Sequence, residues 1–532
     1  MKKNINIILT ALVAVTMFIS GCQKGDLLSN PNVVSETSTV PVSLILNHLT
    51  ATLMKEEEPI ISACYRYNQN IVSNYTYYFG TNGYGWTNSG HTYENIKYCV
   101  KLEEQALKQY GTPNNVYAAF SKFFKAYSFI WLTQRVGDIP MDEAGSPTNL
   151  TPKYNTQKEV YKKSLALLDS ANLQFAALTP VGKSGTKVDV TGDIFGLTYQ
   201  QWQKVINTYR LRVLISLSKR ADDNADLNIK GQFAAIIADP AKYPIMTANT
   251  DNLVYRFNAA YNQYPPIRVG NTAYNNCANI NKTFIGLTAA YSDPRTFVLM
   301  TPSKAALAGG KTVGDFTAYI GEDNNKAQAI MSSFSTDGMY SCLSYNRYFS
   351  SAAGANCEPY ILVGYPELCF NIAEAANRGW ISGISAAAWY NRGIGASMDL
   401  YGITQGKVVT VGNEDNTKPN LGSVTLDVTA FLANPNVAYK GDDVNGLNQI
   451  LTQKYVAFFM NSGFESFYQW RRTGIPALAQ GGVGVGTPSL QIPTRWRYPQ
   501  DEITYNAANN SAAVASQFGG TDDIFAKMWL IK

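Results

Sequence analysis

Histidine is nearly missing from this 532-residue chain, which holds only His48 and His91. Imidazole-based catalysis or metal binding therefore has few candidate groups, and neither histidine sits in a recognisable motif. The seven cysteines include no CxxC pair and no Cys/His cluster at zinc spacing. No G-x-S-x-G elbow, HExxH helix or G-x-x-x-x-G-K-[ST] loop occurs, so the sequence signatures of serine hydrolases, zinc proteases and P-loop enzymes are lacking. Charged residues are only 16% of the chain, without the concentrated basic face that nucleic acid demands. No cofactor is expected. Long apolar runs are scarce too: the single one, Ile5 to Ile19, is about fifteen residues, short of the roughly twenty that span a bilayer.

That run is informative for another reason. Lys2 and Lys3 precede it, Ser20-Gly21 follow it, and Cys22 comes next. A basic n-region, a short h-region and small residues before a cysteine are the pattern of a lipoprotein signal peptide over residues 1–21, with Cys22 the lipidated N-terminus of the mature chain. Residues 22–40, polar and bearing Pro31, read as a flexible tether. Residues 41–532 are long enough for one large domain with a well-buried core. Loss of residues 1–21, with two lysines and no acid, takes the formal charge from +5 to +3. Against that near-neutral balance stand 34 Tyr and 8 Trp, a composition suited to neutral polar ligands.

Helical periodicity recurs along the body. Val116, Phe120, Phe123, Tyr127 and Trp131 step by three or four after Pro113, and the breakers Val136 to Pro140 close that helix. Similar stripes predict helices over about 156–178, 198–220, 365–377, 385–398, 447–460 and 464–470, with Gly379 a natural stop. The expected fold is mainly α: a degenerate tetratricopeptide-like scaffold of helix hairpins, with alanines at close-packing points and no clean 34-residue repeat. Between the helices, residues 222–360 and 402–445 are rich in Asn, Gly, Thr, Tyr and Pro. Irregular segments of that length are usually functional. The six cysteines besides Cys22 admit fifteen pairings, and spacing selects none, although Cys64 with Cys99 or Cys342 with Cys357 would close modest loops.

The densest aromatic stretch runs from Cys64 to Trp86. Tyr65 and Tyr67 are expected on a helix and facing inward, and Tyr77 to Trp86 on an exposed loop where Tyr77, Tyr78, Tyr84 and Trp86 present rings to a ligand. A second candidate patch is Tyr340 to Phe349, with Tyr345, Arg347 and Tyr348. Acid pairs at Glu56-Glu57-Glu58, Asp222-Asp223, Asp442-Asp443 and Asp522-Asp523 suggest a glycoside-hydrolase alternative, but their settings are those of solvated charges. Asp442-Asp443 lacks the full spacing of a calcium loop. Gly481 to Gly486 is followed by no helix start and reads as a flexible surface loop rather than a phosphate loop.

Six blocks in order resemble the SusD/RagB family of nutrient-binding outer-membrane lipoproteins, in its SusD-like branch. They are Phe120–Pro140 with its Gly-Asp-x-Pro turn, Pro152–Ser170 with a Tyr-x-x-Gln start, Gly192–Arg220 with GDIFG and Trp202, Tyr365–Met398, Phe464–Leu478 and Ile492–Asn506. Pro366 and Cys369 depart from the commoner residues of the family. The resemblance implies a tetratricopeptide-like scaffold whose long irregular segments form a binding face, a glycan or peptide ligand, no enzyme activity, and an outer-membrane position facing the cell surface. It also implies a SusC-like TonB-dependent transporter as partner, over which the lipoprotein would sit as a lid; a purely structural lid is the remaining alternative. Trp470, Arg471, Arg472 and Pro493 are implied to hold the fold, and no ligand residue is carried over.

Overall fold

The computed structural model describes residues 39–55, 57–257, 277–349, 358–414, 417–485 and 490–532. The signal segment, Cys22, most of the tether, Glu56 and Cys357 lie outside the described residues. Ten helices carry the architecture: α1 Val42–Ala51, α2 Tyr93–Tyr110, α3 Val116–Val136, α4 Gln157–Leu178, α5 Tyr199–Ser216, α6 Tyr365–Asn377, α7 Ala386–Leu400, α8 Val444–Ala457, α9 Glu465–Thr473 and α10 Ala507–Phe518. Neighbours in sequence pack on one another from α1 through α5, α5 meets α6, and α6 packs on both α7 and α8. The result is the helix-on-helix array expected. Strands are short two-stranded pieces, such as Ile71–Ser73 antiparallel to Ala278–Ile280. Among the described residues no helix is long and apolar enough to cross a membrane.

The helix starts are written in capping chemistry. Asn115 accepts from Ala118 N–H at the head of α3. Thr156 with Glu159 and Thr198 with Gln201 form reciprocal capping boxes at α4 and α5. The Gly-Asp-x-Pro turn joins α3 to α4: Asp138 Oδ1 accepts from Gln157 N–H at 2.7 Å, and burial raises the Asp138 carboxyl to about 6. In GDIFG, Asp193 accepts the indole N–H of the buried Trp202 at 2.7 Å together with the amides of Phe195 and Leu197. A single carboxylate thus pins a turn to the core helix that follows it. Gly379 ends α6 with φ +70°, where a side chain would be strained.

Three helices escape the periodicity argument. In α2 the inward side is a narrow line of Ile96, Cys99, Leu102 and Ala106 within an otherwise polar sequence, too thin a stripe to stand out. Helices α1 and α10 are short and are held by packing rather than propensity. At α8 the start moves upstream to Val444 because Asp443 caps it, accepting from Asn445 and Gly446 N–H.

Glu58 and Asp522, expected to be solvated, turn inward instead, whereas Asp442 and Asp443 stay exposed. Glu58 is buried and accepts the Trp131 indole N–H at 3.0 Å. Asp522 holds the fully buried Arg495. Asp442 accepts from Tyr439 Oη at 2.9 Å, and Asp443 is spent on its cap. The interior also contains ion pairs that bridge helices: Arg212 of α5 with Glu367 of α6, and Arg472 of α9 with Glu374 of α6. Burial alone would raise Glu374, but the Arg472 and Arg378 guanidinium groups bring it down to about 2. Arg471 stacks on Tyr468 at 4.5 Å and donates to Thr494 O. Cys64, Cys99 and Cys369 are buried free thiols, so the Cys64–Cys99 bridge does not form.

The glycine run at Gly481 is pinned rather than loose at its start. A Cβ on Gly482 or Gly484 would lie 2.4 Å from Asn325 O or 1.8 Å from Asn324 O. Only glycine permits the two backbones to approach that closely.

Candidate functional site

The irregular segments meet in a polar groove of about 400 Å³. Its floor is made by Asn74, Cys277 and Cys342, at the end of the antiparallel Ile71–Ser73 and Ala278–Ile280 pair, which a bridge from Asn279 to Cys342 extends. Its walls are the helix Gln328–Thr336, the turn at Gly338 to Tyr340, Lys304, and Glu414. Asn74 ties the walls together, donating to Asn279 Oδ1 at 2.6 Å and to Ser335 Oγ at 2.7 Å. Ser332 donates back to Asn74 O, and Gln328 Nε2 donates to Ser73 O at 3.0 Å. The loop that leaves the floor is fixed by Asn82, whose amide exchanges hydrogen bonds with both backbone groups of Ser73 at 2.8 Å each, imitating a strand partner.

That loop carries a four-residue helix, Thr76–Phe79. Tyr75 lines the groove and is 50% exposed; Tyr77 is 81% exposed, and its ring lies 6.3 Å from that of Tyr75. Tyr78 follows on the same turn, its side chain outside the described residues. Two large rings held at the surface beside a polar groove are the arrangement that stacks on a sugar ring while amides and hydroxyls bond its edges.

The remaining predicted site residues go elsewhere. Tyr84 and Trp86 are each 2% exposed, in the core rather than on an exposed loop. Trp86 stacks on Trp496 at 3.8 Å and meets Phe467 edge-on at 4.7 Å, and Tyr84 Oη donates to Tyr67 O. A hydrophobic pocket made by α9 and the segment around Trp496 draws them in, which loop composition alone does not reveal. Tyr65 is buried as expected. Tyr345 and Tyr348 are also core residues.

Arg347 is ion-paired with Glu358 and stacked on Tyr401 at 4.5 Å. It does line a second cavity, with Tyr348, Asn252 and Asn461, but that space is about 190 Å³, below the roughly 300–1,000 Å³ of ligand pockets. The groove falls inside that range.

Tyr75, Lys304, Ser332, Ser335 and Glu414 are groove residues that sequence reasoning did not choose, whereas Tyr340 opens its second candidate patch. One signal was present: Ser332-Ser333-Phe334-Ser335-Thr336 puts four hydroxyls into one helix, a poor choice for helix stability alone.

Behind the groove, Glu322 pairs in parallel register with Asn281 and is buried with neither carboxylate oxygen bonded. Burial pushes its carboxyl from 4.5 up to about 8. The folded protein therefore keeps a proton that the unfolded chain releases, and stability falls as pH rises from 4.5 to about 8. Glu322→Gln, which keeps the shape without the charge, is expected to match the parent below that window and to melt higher above it. Melting temperatures across pH check this, and parallel profiles for the two proteins would contradict it.

Residues 31–499 match the model of the SusD-like family described as starch-binding, associating with the outer membrane. The chain belongs to that family. A SusD homologue from Bacteroides fragilis NCTC 9343 superposes with a TM-score of 0.76 at 28% identity, over 93% of this chain and 100% of its own. A Bacteroides vulgatus ATCC 8482 outer-membrane protein, proposed to bind nutrients, gives 0.75 at 26% over 93% and 100%. A chitin-binding protein, 22% identical with a TM-score of 0.64 over 92% of this chain and 99% of its own, shares the SusD-like fold. No curated protein matches the sequence. The fold is mainly helical, as the sequence predicts.

Proposed function

We propose that this SusD-like protein is a non-enzymatic cell-surface lipoprotein, anchored through Cys22, that captures oligosaccharide in the polar groove and delivers it to a SusC-like TonB-dependent transporter. The observation that carries the reading is the groove itself. Exposed Tyr75 and Tyr77 adjoin a wall of Ser332, Ser335 and Thr336, a geometry for stacking on a sugar ring and bonding its hydroxyls. Hydrolysis of a glycoside needs two carboxyls flanking the bond. Among the described residues lining the groove there is one, Glu414, and it is already paired with two lysines.

Calorimetric titration of a panel of oligosaccharides and oligopeptides into the mature protein tests the reading, with mass spectrometry of the recovered ligand. Intact glycan is expected back. Tyr75→Ala/Tyr77→Ala is expected to weaken binding about tenfold to a hundredfold, or about 1.4–2.8 kcal/mol, with little effect on melting because both rings are exposed. Cleaved product, or co-purification with the transporter in the absence of any ligand binding, would replace this reading with the hydrolase or the structural lid.

A further inference from the structure

Resting on the glycan-capture reading, we infer that the groove holds an anion subsite, built on Lys304, Ser335 and Tyr340, that selects oligosaccharides carrying a carboxylate or a sulfate ester. Two ammonium groups, Lys304 in the lining and Lys418 outside it, share the single carboxylate of Glu414. One positive charge is left over. It faces outward: the Lys304 and Lys418 side chains are 59% and 49% exposed, whereas that of Glu414 is 12% exposed. The composition of the whole chain suits neutral ligands, but this wall is locally positive.

The hydrogen-bond inventory of the lining points the same way. Ser332 and Thr336 spend their hydroxyl hydrogens on Asn74 O and Ser332 O. Ser335 Oγ accepts from Asn74 at 2.7 Å and keeps its own hydrogen to donate. Tyr340 lines the groove at 8% exposure, and its buried Oη meets no partner among the described residues. The Lys304 ammonium has hydrogens beyond the one aimed at Glu414. These three unspent groups are donors, and an anionic oxygen, which only accepts, answers them with charge-assisted bonds. Neighbouring acids do not cancel the field. Asp323 is ion-paired with Lys282 at 3.7 Å, Glu322 keeps its proton in neutral solution, and Asp337 lies outside the lining.

The test titrates neutral, uronate-containing and sulfated oligosaccharides of matched length into the mature protein at ionic strengths of about 0.01 M and about 1 M, where screening lengths are about 30 Å and about 3 Å. Acidic ligands are expected to bind about threefold to tenfold more tightly than neutral ones at low salt and to lose that advantage at high salt. An advantage confined to one acidic class supports the inference and names its anion. Lys304→Met is expected to abolish the advantage with neutral affinity unchanged, and Lys304→Arg to keep it. Tyr340→Phe removes a hydroxyl that bonds nothing in the described protein, so it is expected to weaken acidic ligands about threefold while the melting temperature stays put. Equal or weaker binding of both acidic classes by wild type, or an advantage that survives Lys304→Met, overturns the inference and leaves glycan capture standing. Failure of all three classes to bind overturns glycan capture itself.

Discussion

Trp86→Ala is expected to cost about 3–5 kcal/mol of folding stability while leaving the glycan affinity of the folded protein unchanged. Trp86 is the centre of an aromatic cluster: Trp496 stacks on it at 3.8 Å, and Phe467, Tyr84 and Tyr67 meet it edge-on at 4.7–5.4 Å. Removing the indole leaves a cavity whose walls come from four separated segments and cannot close together. Urea unfolding followed by far-UV circular dichroism measures the loss, and titration of the folded fraction measures affinity. Unchanged stability with lost binding would return Trp86 to the ligand surface and would refute its place in the core.

A comparable loss is expected at a buried ion pair. Arg295 donates to Asp293 through Nε at 3.0 Å and Nη2 at 2.6 Å, and both residues are fully buried. The same guanidinium donates to Ser397 of α7 at 3.0 Å and to Gln453 of α8 at 2.6 Å. Arg295→Met strands the Asp293 carboxylate and is expected to cost about 3–5 kcal/mol, whereas pairing it with Asp293→Asn should recover part of that by removing the orphaned charge. Denaturant midpoints for the two single variants and the double variant decide this. Strictly additive losses would mean that the pair acts only as two independent packing elements. Because Arg295 lies in the segment that also supplies Lys304 and Tyr340, the single variant should also loosen the groove and weaken ligand binding.

Much of the scaffold was legible in the sequence because its causes are local. Val116, Phe120, Phe123 and Tyr127 share a face through helix geometry alone, and Thr156 with Glu159 marks a start wherever it occurs. Helix α2 was not legible, since Ile96, Cys99, Leu102 and Ala106 make a stripe one residue wide. The candidate site was read only in part. Tyr77 is exposed as expected, but Tyr84 and Trp86, a few residues on in the same loop, point into the core. A tyrosine carries both an apolar body and a polar tip, so composition is the same whether the ring faces in or out.

The sequence by itself determined a chain rich in amphipathic helices, poor in catalytic groups and near-neutral in charge, because periodicity, capping and composition act over a few residues. Only the tertiary structure decided which residues share the proposed groove. Asn74, Lys304, Ser335 and Glu414 are separated by up to 340 positions and have no pattern in common. They become one surface only after the helices pack and a short antiparallel strand pair joins residues about 200 apart.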